Sequence, residues 1–199
     1  NAVDTGGANN GFEASPTRAY ADDDSPAQNI NGAGDRHRYF GYNFTIPPGA
    51  NITGIEVRPN WGVDSTSGFG ANNSLSIELS YDGGAHWTSA KTDTNDSTSH
   101  SHTATLGSGS DLWGRSSWSA SELSSANFRV RVTSNSNSSS RDFYLDYLPM
   151  RVTYTVNTEN GDGDNFFIAP TSADMKGIFE FIGNQVCPAI TNVAAANPP

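Results

Sequence analysis

The sequence predicts a mostly β fold, a two-sheet antiparallel β-sandwich of jelly-roll or immunoglobulin-like topology, followed by one C-terminal α-helix. Three observations predict it. Segments that alternate apolar and polar residues recur from Tyr39 onward, clusters of Gly, Asn, Ser and Pro separate them, and one late stretch changes to a helical period. Alternation sends successive side chains to opposite faces, so one face of each strand goes inward and the other stays wet.

The clearest strands are Ile55-Glu56-Val57-Arg58, Leu75 to Ser80, Phe128 to Val132, and Met150 to Tyr154. Weaker alternation over Phe40 to Ile46, His102 to Leu106 and Phe143 to Leu148 brings the total to about seven or eight, the number a sandwich needs. Pro47-Pro48-Gly49 stops a strand because proline cannot donate to a ladder, and Tyr81-Asp82-Gly83-Gly84 supplies the positive-φ residues of a tight hairpin. Residues 1–38 lack sustained periodicity and read as an irregular lead-in packing on the sandwich of residues 39–157, with one short strand around Arg18 to Ala21. Ser119 to Leu123 reads as a single helical turn with a serine cap.

Beyond Asn157, residues 158–170 form an acidic linker and residues 171–186 an amphipathic helix, with Thr171 and Asp174 placed like a capping box. Met175, Ile178, Phe179, Ile182 and Val186 make one apolar stripe along it, a candidate assembly interface; Pro188 marks its stop, and residues 187–199 are a tail.

Composition narrows the function classes. At 199 residues the chain can bury a full core without staples. Charged residues are only 16% of the chain, against about a quarter in an ordinary domain. The formal net charge of -10 repels phosphate backbones and anionic lipids, so nucleic acid is a poor partner and divalent cations a better one. No apolar run reaches the ~20 residues of a membrane span. The single Cys187 cannot close an internal disulfide, and this near absence of cysteine, with few Lys and Met, points to an exported bacterial protein. A chain beginning at Asn1 reads as a processed or excised product. Asn43, Asn51, Asn72, Asn95 and Asn137 head N-x-S/T sequons, several of which arise from the Asn, Ser and Thr content alone.

Several motifs carry resemblances. Asn10-Gly11-Phe12-Glu13, Ile52 to Arg58, Ser80 to Gly84, Trp113-Gly114-Arg115, Asn127 to Arg131 and Tyr144 to Tyr147 together resemble uncharacterised β-sandwich modules of large bacterial surface and secreted proteins, over about residues 10–155. That resemblance implies a surface module and no particular activity. Asp164 to Thr171, followed by Ile178-Phe179 and Ile182-Gly183, resembles the last strand-to-helix segment of a pilus-assembly-type von Willebrand factor A domain, over about residues 164–186. The metal motif D-x-S-x-S of such domains is absent, since Asp64-Ser65-Thr66-Ser67-Gly68 has Thr and Gly where its serines stand. Ser80 to Trp87 is similar to the Asp-box hairpin of sialidase-like propellers, with His86 departing from the pattern; in that motif these residues lock a turn and do not catalyse.

Candidate sites are few. Trp61 and Trp113, each beside a glycine at a strand end, are the tryptophans expected to be exposed and to stack on glycan rings. Asp22, Asp23 and Asp24, and Asp162 with Asp164, offer hard oxygen ligands for a structural Ca2+. His100 and His102 alternate and could share a transition metal with a third ligand. No nucleophile elbow, phosphate loop or zinc-protease helix is present, so no catalytic residue is assigned. The expected function is a non-catalytic structural or interaction module, extracellular at the bacterial cell surface, needing no cofactor. Its expected partners are copies of itself, as in a filament or surface layer, or neighbouring surface-protein domains. The alternative is a carbohydrate-binding module.

Overall fold

The computed structural model describes residues 1–68 and 72–156, and the chain divides after Asn157. The described part is mostly β, its strands being β1 (Ala2–Asp4), β2 (Ala27–Asn29), β3 (Arg36–Phe40), β4 (Asn51–Val57), β5 (Asn60–Val63), β6 (Ser74–Ser80), β7 (Lys91–Asp93), β8 (Leu106–Gly107), β9 (Arg129–Asn135), β10 (Phe143–Tyr147) and β11 (Met150–Thr155). They form a five-stranded sheet in the order β1-β3-β9-β6-β7 and two three-stranded sheets, β2-β10-β5 and β11-β4-β8, with every pairing antiparallel.

The five-stranded sheet follows its sequence pattern closely. Leu75, Ile77 and Leu79 of β6 and Val130 and Val132 of β9 are fully buried, while Ser76, Glu78, Arg129 and Arg131 alternate with them on the wetter face. On that outer face Arg38 lies directly opposite Arg131, a like-charge pairing that would destabilise the ladder alone. Asp4 offsets it at 3.7 Å from Arg38 and 3.5 Å from Arg131. Arg131 also grips Glu78 with two hydrogen bonds of 2.7 and 2.8 Å and lies 4.2 Å from the Trp87 ring centre, a bidentate and stacked arrangement that lysine could not reproduce.

The opposing layer is one pair of long strands broken in the middle. β4 runs on into β5 and β10 into β11, and both breaks fall at prolines, Pro59 and Pro149, which have no N–H to give a ladder. Between the pairs Val57↔Met150 and Asn60↔Tyr147 the Arg58 N–H donates to the Pro149 carbonyl at 3.1 Å, the bond that carries the chain across the gap. The ladder also slips between Leu145 and Tyr147, making Asp146 the extra residue of a β-bulge. A loop covers β4 so tightly that a Cβ on Gly54 would stand 2.3 Å from the Ser108 carbonyl oxygen. The free edge of β5 is covered too, with Trp61 N–H donating to His102 O at 2.9 Å and Val63 N–H to Ser97 O at 2.8 Å. The inner faces of all three sheets meet in one sandwich-like core around Tyr39, Ile55, Trp61, Ile77, Val130 and Phe143.

Several expectations need correcting. The lead-in, expected to be irregular, contributes β1, β2 and the start of β3, and it places Phe12, Ala19 and Ala27 in the core. The strand expected over Arg18 to Ala21 is a 3-10 turn, Pro16–Ala19, because Pro16 fixes φ for a helical start. The strand beginning near Phe40 ends there instead, as Gly41 and Asn43 adopt φ of 85° and 54°. Over His102 to Leu106 only Leu106 enters a strand, apart from a single bridge from Thr103 to Asn60. Ser119 to Leu123 forms a turn and no assigned helix, in which Ser119 and Glu122 cap each other, with Ser119 N–H donating to the Glu122 carboxylate at 2.7 Å and Glu122 N–H to Ser119 Oγ at 3.3 Å. The expected helix over 171–186, its stripe of Met175, Ile178, Phe179, Ile182 and Val186, the linker at 158–170 and Cys187 lie outside the described residues.

His37 of β3 ties the lead-in to the core. It is 2% exposed; its Nδ1 accepts the Phe12 N–H at 3.3 Å and its Nε2 lies 3.1 Å from Asn1 Oδ1, so the ring is neutral with the proton on Nε2. Burial first, and the positive N-terminus and Arg38 after it, push its pKa down to about 4. An unfolded histidine titrates near 6.5, so as pH falls the unfolded chain takes the proton first and stability is lost between about 6.5 and 4, by up to roughly 3 kcal/mol. Urea unfolding at pH 7 and pH 4.5 should show this loss in the wild type and a smaller one in His37→Gln. Equal losses in both proteins would remove His37 as its source.

Candidate binding cleft

Where β3 ends and β10 gives way to β11, aromatic side chains from three parts of the chain surround a cavity of about 330 Å³. Tyr39 and Phe40 come from β3, Tyr42 and Phe44 from the segment after it, Tyr20 from the end of the 3-10 turn, and Tyr147 from β10; Leu148, Pro149 and Met150 complete the lining. The wall is fixed by backbone bonds: Leu148 N–H donates to the Ala19 carbonyl at 3.1 Å, and Tyr20 bridges Tyr147. Tyr42 and Phe44 stack at 5.8 Å with planes 5° apart, and both set an edge against the buried Phe128.

Tyr20 is 52% and Phe40 38% exposed, so the rim presents bare aromatic surface, whereas Tyr39 is 1% exposed. The Tyr39 hydroxyl has no hydrogen-bond partner, and burial, with Tyr20 adding to it, pushes its pKa far up. Gly41 leaves open space beside the cleft, with nothing within 4 Å of the position its Cβ would take. Flat rings at the rim over a partly polar floor are the equipment for stacking against a planar or ring-shaped neutral ligand.

Directly beyond Tyr20 the chain turns through Asp22, Asp23 and Asp24, all exposed, and the bulge at Asp146 faces this turn. Asp146 Oδ2 accepts the Asp24 N–H at 3.2 Å, Asn60 Nδ2 donates to Asp22 at 3.1 Å and Ser101 Oγ to Asp24 at 2.7 Å. Asp146 is 0% exposed, and burial chiefly, with the three neighbouring carboxylates, raises its pKa. Strand alternation hides this residue: Phe143, Leu145 and Tyr147 mark one face, which should leave Asp146 on the other, and only the bulge turns it in. A carboxylate inside an otherwise apolar strand, Leu145-Asp146-Tyr147, was the one signal available.

The tryptophans expected at the surface are inside. Trp61 is 0% and Trp113 2% exposed, so neither offers a face to a glycan. Trp61 Nε1 donates to Asp93 at 2.9 Å and Trp113 Nε1 to the Ile55 carbonyl at 2.8 Å; Gly62 is itself buried in β5, and Gly114 does stand exposed in a turn, but the indole beside it is turned inward. His102 is engaged with Asp93 at 3.1 Å while His100 packs on Tyr144 at 4.2 Å, so the two imidazoles serve different partners. Asp82 of the Asp-box-like turn accepts from Ser80 Oγ, the His86 N–H and the His86 ring, which outweigh burial and hold its pKa down at about 2, a turn-locking role. The five sequon asparagines are all exposed, and Asp162 and Asp164 lie outside the described residues. Among the described residues no helix is long and apolar enough to cross a membrane. No protein family, curated protein or solved structure matches the chain.

If the Tyr39 hydroxyl is desolvated without return, its removal should not harm the fold. Tyr39→Phe is expected to leave stability unchanged or raise it by up to about 1 kcal/mol in denaturant unfolding. A loss of more than about 1 kcal/mol would mean the hydroxyl has a partner in solution.

Proposed function

We propose that the chain is a non-catalytic, extracellular structural or interaction module of a bacterial cell-surface protein, with the aromatic cleft as its point of contact. The observation that carries this reading is the cleft itself, which gathers the exposed rings of Tyr20 and Phe40 in one place. Support comes from how the charged side chains are used. Glu78 serves Arg131, Asp111 serves Lys91, Glu122 serves Arg115, Asp64 serves Arg141, Glu56 serves Arg151, and Asp93 serves Trp61 and His102. We read the topology as jelly-roll-like rather than immunoglobulin-like, because β9 is inserted between β3 and β6 and the chain crosses between layers from β3 to β4, β5 to β6, and β9 to β10.

In its more specific form the module assembles into a filament or surface layer, with the stripe of the helix expected over 171–186 docking on neighbouring copies or domains. Light scattering after size exclusion tests it: the full chain should self-associate and residues 1–157 should be monomeric. A monomer in both would count against assembly.

A second reading has one specific observation in its favour. Tyr20 and Phe40 at the rim suit the apolar CH face of a sugar ring, which makes the cleft rather than Trp61 or Trp113 the glycan site of a carbohydrate-binding module. A glycan array should then show binding that falls at least about tenfold in Tyr20→Ala, the loss of roughly 1.4 kcal/mol of stacking. A blank array would remove this reading and leave the first.

A further inference from the structure

Asp146 is a carboxylate whose surroundings are incomplete. It is wholly buried, its Oδ1 has no hydrogen-bond partner, and its Oδ2 has one neutral donor, the Asp24 N–H at 3.2 Å. Around it stand Asp22, Asp23 and Asp24, and among the described residues no arginine, lysine or histidine forms an ion pair with any of the four. Elsewhere in the fold the acidic side chains of Asp4, Glu56, Asp64, Glu78, Asp93, Asp111 and Glu122 each have such a partner. A buried carboxylate facing three others, with an oxygen left over, lacks positive charge.

We propose that Asp146 and the Asp22–Asp24 turn bind a hard divalent cation of the Ca2+ class, and that the ion fastens the Tyr20 wall of the aromatic cleft. Ca2+ takes six to eight oxygen ligands at 2.3–2.6 Å and tolerates irregular geometry. Carboxylates from Asp146 and the turn, joined by backbone carbonyls and water, match that preference better than the octahedron demanded by Mg2+. As the residues stand, no three carboxylate, imidazole or thiol groups among the described residues converge closely enough to hold an ion. Binding therefore draws the exposed turn down onto Asp146, which the bulge holds in place. The turn leaves directly from Tyr20, which bridges Tyr147, so closure tightens the wall that both tyrosines form. This site rests on the fold and not on what the cleft receives.

The test uses the full chain, freed of metal by EDTA and dialysis, and reads thermal unfolding with and without CaCl2. With a Kd of about 10⁻⁴ to 10⁻³ M, common for extracellular modules, about 10 mM Ca2+ should raise Tm by roughly 3–8 °C. Asp146→Asn should abolish the shift and leave the Ca2+-free protein at least as stable as the wild type, because it removes a buried charge facing three others. If Asp146→Asn does not fold, the exposed double variant Asp23→Asn, Asp24→Asn decides, with the same loss of response expected. No shift in the wild type, or a shift that survives in whichever variant folds, would overturn the proposal; the latter places the ion elsewhere in the chain.

Discussion

The indole N–H of Trp61 donates to Asp93 Oδ2 at 2.9 Å, and that bond joins the two layers of the fold. Trp61 belongs to β5 in one layer; Asp93 ends β7, the edge strand of the other. The same carboxylate accepts from Asn95, through its backbone N–H at 3.2 Å and its side-chain amide at 3.0 Å, and lies 3.1 Å from His102 Nε2. It thereby holds both ends of the loop that covers the free edge of β5. Burial alone would raise the pKa of Asp93, but these donors outweigh it and hold it below the ordinary carboxylate range. A fully buried tryptophan contributes about 3–5 kcal/mol through its area, so the tie combines a large apolar contribution with a directed polar one.

This inward use of Trp61 is shared by the other indoles. All four indole N–H groups are bonded within the fold, Trp87 to the Gly84 carbonyl and Trp118 to the Leu112 carbonyl as well as Trp61 and Trp113. Arg115 is used in the same way, lying 3.6 Å from the Tyr81 ring centre and 4.7 Å from that of Trp118. At the other end of β3, Gly41 and Asn43 turn the chain out of the sheet and leave Tyr20 and Phe40 partly bare. The break at Pro149 falls in the same place: Pro149 lines the cleft, and the bulge at Asp146 lies just before it.

Legibility in the sequence follows from how local each determinant is. β6 and β9 were readable because apolar and polar residues alternate over Leu75 to Leu79 and Phe128 to Val132, and Pro47-Pro48-Gly49 and Tyr81 to Gly84 because turn chemistry is written in single residues. The lead-in was not: β1 and β2 have three residues each, too few for periodicity, and become strands only by pairing with β3 and β10. A neighbouring glycine suggested exposure for Trp61 and Trp113, yet Gly62 lies under the Ser97 and Ser99 carbonyls, 2.7 Å from the latter at its Cβ position, so it signals close backbone approach rather than an open surface. The acidic run at Asp22 to Asp24 was visible as composition, but its partner Asp146 lies more than a hundred residues away and faces it only through a bulge. The aromatic cleft has the same character, being assembled from Tyr20, Tyr39, Tyr42 and Tyr147, which no short motif relates.

A double-mutant cycle between Trp61→Phe and Asp93→Ala, read by urea unfolding, tests most directly whether the tie between layers holds the fold together. Trp61→Phe keeps most of the apolar volume and removes the donor; Asp93→Ala removes the acceptor. The two changes should be strongly non-additive, with a coupling of about 1–3 kcal/mol, since either alone already breaks the bond. Effects that add to within about 0.5 kcal/mol would mean that the Trp61–Asp93 bond does not join the layers energetically.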